Sequence, residues 1–297
     1  MGVKGYKAFN KGMICRGKQY KENATYEENG NEICEAGVMH FCENPFDVLD
    51  YYQLVDENGN IPDFADVEAI GDVYKKGNKT ATNKLHIGAK LGLKGFVKAC
   101  VDFTIEKARV ESGKDNETDS SGDYAKIGSS GYYAKIGSSG YSAQIGSSGD
   151  YAQIGSSGDY AQIGSSGYYA KIGSSGDCAQ IGSSGYSAQI GSSGDCAQIG
   201  SSGYSAQIGS SGDYAQITSK GKNSVVMAAG YNSIAKAKIG SWITLAEWIR
   251  TDKTNDSGKY IWIPKCVKTE CVDGEHIKED TFYKLVNGEF KEVESEE

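Results

Sequence analysis

The chain has 297 residues, 40 of them Gly and only 3 Pro, and a formal net charge of -8. That Gly content without Pro or a three-residue period excludes collagen, and no apolar run approaches the roughly eighteen residues a membrane helix needs. The mild acidity favours solubility and argues against direct binding to nucleic-acid backbones.

The opening stretch Met1 to Tyr6 lacks the apolar core of a signal peptide, so a cytoplasmic protein is expected. Its 8 Cys are then thiols rather than a disulfide framework. Residues 1–111 read as a mixed α/β domain. Phe46 to Tyr52, after the turn at Asn44-Pro45, predicts a short helix, and Phe64 to Ile70 alternates as a strand. Leu91 to Cys100 predicts a helix leading toward the centre of the chain, and the polar stretch 111–121 reads as a loop.

Residues 112–239 are dominated by a nonapeptide repeat, SSGDYAKIG, SSGYYAKIG, SSGYSAQIG and so on. Eleven glycines recur at steps of nine from Gly122 to Gly212, and the phase continues through Gly221 and Gly230. Within Tyr124-Ala125-Lys126-Ile127 the Ala and Ile alternate with outward-type residues, the period of a strand with one buried face. Gly-Ser-Ser-Gly between strands is turn chemistry, with two residues free to take positive φ. Nine residues are too few to close a coil, and the position after the repeat glycine splits into two sets at steps of 18. One is mainly Asp (Asp123, Asp159, Asp177, Asp195, Asp213) and the other mainly Tyr (Tyr132, Tyr168, Tyr186, Tyr204). The expected fold is therefore mainly β, with a two-sided parallel β-solenoid of two nonapeptides per 18-residue coil. Eleven half-coils at about 4.8 Å per coil would be on the order of 26 Å long.

Only Ala and Ile are expected to point inward. Lys126, Gln144, Gln153, Gln162 and Lys171 are expected to form surface ladders. Tyr124, Tyr133, Tyr151, Tyr160 and Tyr169, with Tyr168, Tyr186 and Tyr204 of the alternate set, are the candidate binding residues, read as a flat recognition face. A calcium β-roll places its Asp two residues past the glycine, whereas Asp123 follows Gly122 directly. The outward columns are too mixed for an ice-binding face. Six Asp and three Lys in residues 122–217 give a net charge of -3, far short of the roughly fifteen phosphates on a duplex of that length.

Residues 240–297 read as a small β cap. Trp242 to Trp248, Tyr260 to Val267 and Thr281 to Leu285 predict strands, Asn287-Gly288 a hairpin turn, and Glu294, Glu296 and Glu297 an acidic tail. At both flanks the stretches YKAFNKGMICRGKQY, GVMHFCENPFDVLDYY, ADVEAIGDV, GYNSIAKAKIGSWITLAEW and VNGEFKEVE carry a resemblance. The chain resembles uncharacterised phage and prophage proteins in which an N-terminal mixed domain precedes Ser-Gly-Asp-Ala type repeats and a closing segment. The resemblance implies a phage or mobile-element origin and transfers no catalytic residue.

No HExxH, nucleophile elbow or phosphate loop occurs. Cys34, His40 and Cys42 lack a fourth metal ligand at suitable spacing, and Cys266 and Cys271 lack a partner pair. No catalytic residue, metal or cofactor is expected. Arg16-Gly17, His40-Phe41 and Glu68 are the one set reminiscent of a nucleotide-handling transferase pocket. The leading expectation is a non-enzymatic interaction protein, phage- or prophage-encoded and anti-CRISPR-like. It would bind a host protein or ribonucleoprotein complex in the bacterial cytoplasm and block a defence system sterically. Direct nucleic-acid or membrane binding is not expected, and self-association into a homo-oligomer is open. The alternatives are a virion or surface spacer, and an enzyme with its active site in the N-terminal domain.

Overall fold

The computed structural model describes residues 2–30, 37–55, 60–107 and 117–293. Cys34, residues 111–116 of the expected loop and the acidic tail lie outside the described residues. The protein is mainly β, with a central parallel solenoid of about seven coils flanked by N- and C-terminal β domains.

Each nonapeptide contributes one four-residue strand, such as Gln153–Ser156 or Gln162–Ser165. Successive strands alternate between two parallel sheets, and each pairs in register with the strand 18 residues on, Ile145 with Ile163 and Ile154 with Ile172. The expected coil of two nonapeptides is what forms. It begins earlier than the loop expected over 111–121 allows, because Glu117–Ser120 already pairs with Lys135–Ser138.

The strand register differs from the expectation. The strand is Lys/Gln-Ile-Gly-Ser, so the tyrosines fall in the turns and the strand Ser joins Ala and Ile on the inside. Positive φ is also placed differently. The repeat glycines are not left-handed; the residue two positions later is, with φ of 52–60° at every turn from Tyr124 to Asn232. Glycine is required for another reason. A Cβ on Gly176 would lie 2.1 Å from the carbonyl oxygen of Gly158, one coil below, and on Gly140 it would lie 2.0 Å from that of Gly122. Only a residue without Cβ lets neighbouring turns approach that closely.

The mainly-Asp set has a structural role. The backbone N–H of Asp195 donates to Asp177 Oδ1 (2.8 Å), that of Asp213 to Asp195 Oδ1 (2.8 Å), and that of Tyr231 to Asp213 Oδ1 (2.7 Å). Each carboxylate thus satisfies a turn N–H of the next coil.

The N-terminal domain is built around a four-stranded antiparallel sheet in the order Val3–Phe9, Asp63–Ala69, Lys84–Leu91, Ala24–Glu27. A three-stranded sheet (Met39–Phe41, Lys79–Thr82, Val73–Lys76) and the two-stranded hairpin Ile14–Cys15/Lys18–Gln19 complete it. The expected helix at 46–52 is a 3-10 turn, Phe46–Asp50, and the expected strand at 64–70 spans Asp63–Ala69. The helix expected at 91–100 is α1, Leu93–Lys107.

Helix α1 does not simply lead into the solenoid. It lies along one sheet, whose strands include Gln144–Ser147, Gln162–Ser165, Gln180–Ser183 and Gln198–Ser201; we call this the covered sheet. Its strand glycines form a groove under the helix. Cβ atoms built on Gly200, Gly182 and Gly164 would meet Leu93 at 3.3 Å, Val97 at 2.8 Å and Phe46 at 3.4 Å. On the opposite, open sheet, a Cβ on Gly155, Gly173 or Gly191 meets nothing within 4 Å.

The segment preceding the helix follows the same sheet. Asn44 Nδ2 donates to Gln144 Oε1 (2.9 Å), Gln144 Nε2 to Asp47 Oδ1 (3.0 Å), and Gln162 Nε2 to Asp50 Oδ1 (3.3 Å). The N–H of Leu54 donates to Gln180 Oε1 and that of Val55 to Gln198 Oε1 (both 3.4 Å). Gln144 and Gln162 are buried in this seam, which corrects the expectation that they stand on a surface ladder. Gln153 and Lys171, on the open sheet, and Lys126, in the first covered strand, are exposed.

The C-terminal strands continue both sheets. Trp242–Thr254 pairs parallel with Val225–Ala228, and Tyr283–Val286 pairs antiparallel with Ile234–Lys236. Phe282 packs in the same apolar cluster as Phe46, Leu54, Phe96 and Val97, so the two flanking domains meet beside the rod.

The two glycine columns generate a matched test. Gly182→Val forces a side chain into Val97 and should lower stability by about 1–3 kcal/mol, as overpacking does. Gly173→Val faces open space and should be neutral or stabilising, since an interior Gly costs about 0.5–1 kcal/mol in a strand. Thermal unfolding of the two variants side by side checks this.

Candidate functional site

The eight candidate tyrosines do not share a flat face, because the turns rather than the strands carry them. Tyr133, Tyr151, Tyr168, Tyr169, Tyr186 and Tyr204 occupy one edge of the solenoid, while Tyr124 and Tyr160 occupy the opposite, Asp-rich edge. All eight are exposed. On the tyrosine edge the rings form a continuous ladder. Centroids are 5.1 Å apart for Tyr133–Tyr151 and Tyr151–Tyr169, 6.0 Å for Tyr169–Tyr186 and 5.5 Å for Tyr186–Tyr204. The left-handed position in these turns accepts Ser187, Ser205 and Asn223 with the same φ. A bulky Tyr is not what that backbone conformation selects.

The Asp-rich edge leads to a surface that the sequence reading treated only as cap strands. Coil strands are four residues long, so the 13-residue strand Trp242–Thr254 runs past the sheet, and Tyr260–Cys271 returns beside it as an edge strand. This overhanging hairpin is apolar on both faces. Ile249, Tyr260, Ile261, Trp262, Ile263 and Val267 are each 38–59 % exposed. Trp262 packs on Tyr231 (4.5 Å), and Tyr231 on Tyr214 (5.6 Å), so the hairpin joins the aromatic column of that edge. A sequence signal existed: Tyr260-Ile261-Trp262-Ile263 is apolar without alternation, and a strand of that kind needs cover on both faces.

A third feature lies inside the N-terminal domain, a cavity of about 520 Å³. Lys7, on the strand Val3–Phe9, is only 7 % exposed, and its ammonium donates to the His40 carbonyl oxygen (2.8 Å). Burial lowers its pKa, and no carboxylate among the described residues forms an ion pair with it. His40 Nε2 is buried and has no hydrogen-bond partner among the described residues. Burial first, then the charges of Lys7, Lys79 and Arg16, pushes His40 down to about 4, so its ring is neutral at pH 7.

Arg16 reaches the cavity from the tip of the hairpin Ile14–Cys15/Lys18–Gln19. The two tip residues, Arg16 (φ 50°) and Gly17 (φ 75°), both have the positive φ that a two-residue type I′ turn demands. The Asp63 carboxylate holds the base of this loop, accepting from the N–H groups of Gly12 (2.8 Å) and Met13 (2.9 Å). Lys79, over the Tyr51 ring at 4.1 Å, also lines the cavity. Lys18 pairs with Glu28 (2.5 Å), and the Tyr52 hydroxyl donates to Cys15 Sγ (3.4 Å).

The structure therefore brings Arg16 and His40 together, while Glu68 stands outside the cavity on Asp63–Ala69, opposite Lys4 and His86. Among the described residues, Glu28 is the carboxylate that lines it. Lys7 and Lys79, missed in the sequence reading, belong to no local motif. Among the described residues no group of three or more His, Cys, Asp or Glu is placed to hold a metal ion. No helix among them is long and apolar enough to cross a membrane.

Residues 3–99 match a family described as "Domain of unknown function (DUF7666)". The match covers every residue that lines the cavity and stops within α1, before the solenoid. No curated protein and no solved structure matches the chain.

Buried neutral His40 sets a pH dependence. Below about pH 6.5 an unfolded histidine protonates, whereas in the folded protein His40 stays neutral to about 4. The unfolded state then binds more protons, so stability falls as the pH drops from 6.5 toward 4. Denaturant unfolding across that range should show this slope, and His40→Asn should flatten it.

Proposed function

We propose that this protein acts by binding another macromolecule through the overhanging hairpin and the aromatic columns of the rod, rather than by a chemical reaction on the solenoid. The observation that carries the reading is the hairpin's exposed apolar surface on both faces. A two-stranded hairpin is marginal alone in water, and exposed apolar patches of this kind mark interaction sites. Trp and Tyr are also the side chains that dominate binding energy at protein interfaces. The ladder of the tyrosine edge supports the same reading, since its turns accept Ser and Asn equally well.

The partner class is a host protein or ribonucleoprotein complex, blocked sterically. The flanks' resemblance to phage and prophage proteins supports a bacterial defence complex as that partner. A spacer that merely holds two end domains apart fits less well, because the flanking domains pack in one apolar cluster beside the rod.

Affinity capture with the full chain from nuclease-treated bacterial lysate tests the reading. Wild-type protein should retain a nuclease-resistant partner. Trp262→Ala should weaken that interaction by about 2 kcal/mol, the scale of an interface anchor. Recovery of virion proteins alone favours the spacer. Undiminished capture after Trp262→Ala combined with Ile263→Ala, in a protein of unchanged melting temperature, removes the hairpin from the account.

A further inference from the structure

We propose that the cavity of the N-terminal domain binds a nucleotide, with Lys7, Arg16 and Lys79 taking its phosphate and the aromatic wall taking its base. This proposal stands apart from the interaction reading and concerns a different surface.

The charge distribution points to an anion. Lys7, Arg16, Lys18 and Lys79 line the cavity against the single carboxylate Glu28 among the described residues, and Lys18 is already paired with it. Lys7, Arg16 and Lys79 form no ion pair with a carboxylate among the described residues. Lys7 is the informative one, because its ammonium is buried beside the rings of Phe9 (5.4 Å) and Tyr20 (6.0 Å) without a carboxylate among the described residues. A buried charge is costly unless paired. Its neighbours are the His40 carbonyl oxygen and the Cys15 side chain rather than a carboxylate, and an anionic ligand would supply the counter-charge. Arg16 adds a planar fork suited to phosphate, presented from a turn whose positive φ a non-glycine residue adopts only at some cost.

The size and the wall point to more than a bare phosphate. About 520 Å³ falls within the range of roughly 300–1,000 Å³ that holds small organic molecules. Tyr20, Tyr51 and Tyr52 line the cavity with flat apolar surface. Glu28 offers an acceptor for ribose hydroxyls, and His40 Nε2 is a further polar atom within the site that no described residue satisfies. Three cations whose charges act on His40, with aromatic rings and one hydroxyl acceptor in the same lining, are the complement of a phosphorylated nucleoside. The residues come from positions 7, 16, 20, 28, 40 and 79, all inside the matched stretch 3–99.

Calorimetry and thermal shift on the full chain, with AMP, ADP, GMP, UMP, adenosine and inorganic phosphate as separate probes, test the proposal. At least one nucleotide should raise the melting temperature and bind about tenfold or more tighter than either adenosine or phosphate, since losing a charge-assisted contact costs that much. Arg16→Gly keeps the turn conformation and should weaken that nucleotide about tenfold without lowering the free protein's melting temperature. Lys7→Met should raise the free protein's melting temperature and abolish binding, a combination that a purely structural lysine would not give. The His40 ring resonances should titrate at higher pH with nucleotide bound, because a nearby anion favours the imidazolium. No shift with any nucleotide, phosphate binding as tightly as the nucleotides, or unchanged affinity in Arg16→Gly each overturns the proposal.

Discussion

Every coil of the solenoid rests on the approach of a glycine α-carbon to the carbonyl oxygen of the glycine one coil below. At 1.8–2.1 Å from a Cβ position, from Gly140 to Gly230, this contact tolerates no side chain. It brings successive turns together in one register, and the register makes each sequence position a column. Ile stacks on Ile, strand Ser on Ser, and a turn carboxylate reaches the N–H of the next coil. The left-handed residue two positions later then accepts whatever side chain the surface requires, and Tyr, Ser, Cys and Asn all occur there.

Columns turn small sequence choices into surfaces. The same Gln-Ile-Gly-Ser strand builds both sheets, but one is covered and the other is open. On the covered side the Gln column bonds residues 44–55 along successive coils, and the Gly column seats α1. The N-terminal domain is thereby fastened along the rod rather than at its end, and it reaches Phe282 of the cap. Cavity, rod and hairpin are thereby joined through one connected set of sheets and seams.

The candidate sites were legible to different degrees. The tyrosines announced themselves by period, yet their grouping on two edges depends on which four residues form the strand. Turn residues cannot lie on a sheet face. Arg16 and His40 could be singled out as a chemistry-bearing pair, and the fold does unite them. Glu68 was misplaced because strand alternation and sheet order, not sequence proximity, decide what faces the cavity. Lys7 looks in the sequence like any surface lysine. Its burial arises only where Val3–Phe9 lies between its one sheet neighbour, Asp63–Ala69, and Met39–Phe41.

By itself the sequence determined the solenoid, its 18-residue coil, the distinct chemistry of its two half-coils and the β character of the cap. These depend on local period and on turn residues, which a single chain displays directly. The strand-start lysines give no signal of the covered side, since Lys126 heads the column of Gln144 while Lys135 and Lys171 stand in the other sheet. Only the tertiary structure decided which of two chemically identical sheets α1 would occupy, that the cap hairpin would overhang the rod, and that lysines at 7 and 79 would converge with Arg16 and His40. Those outcomes depend on long-range packing, in which identical local strands acquire different neighbours.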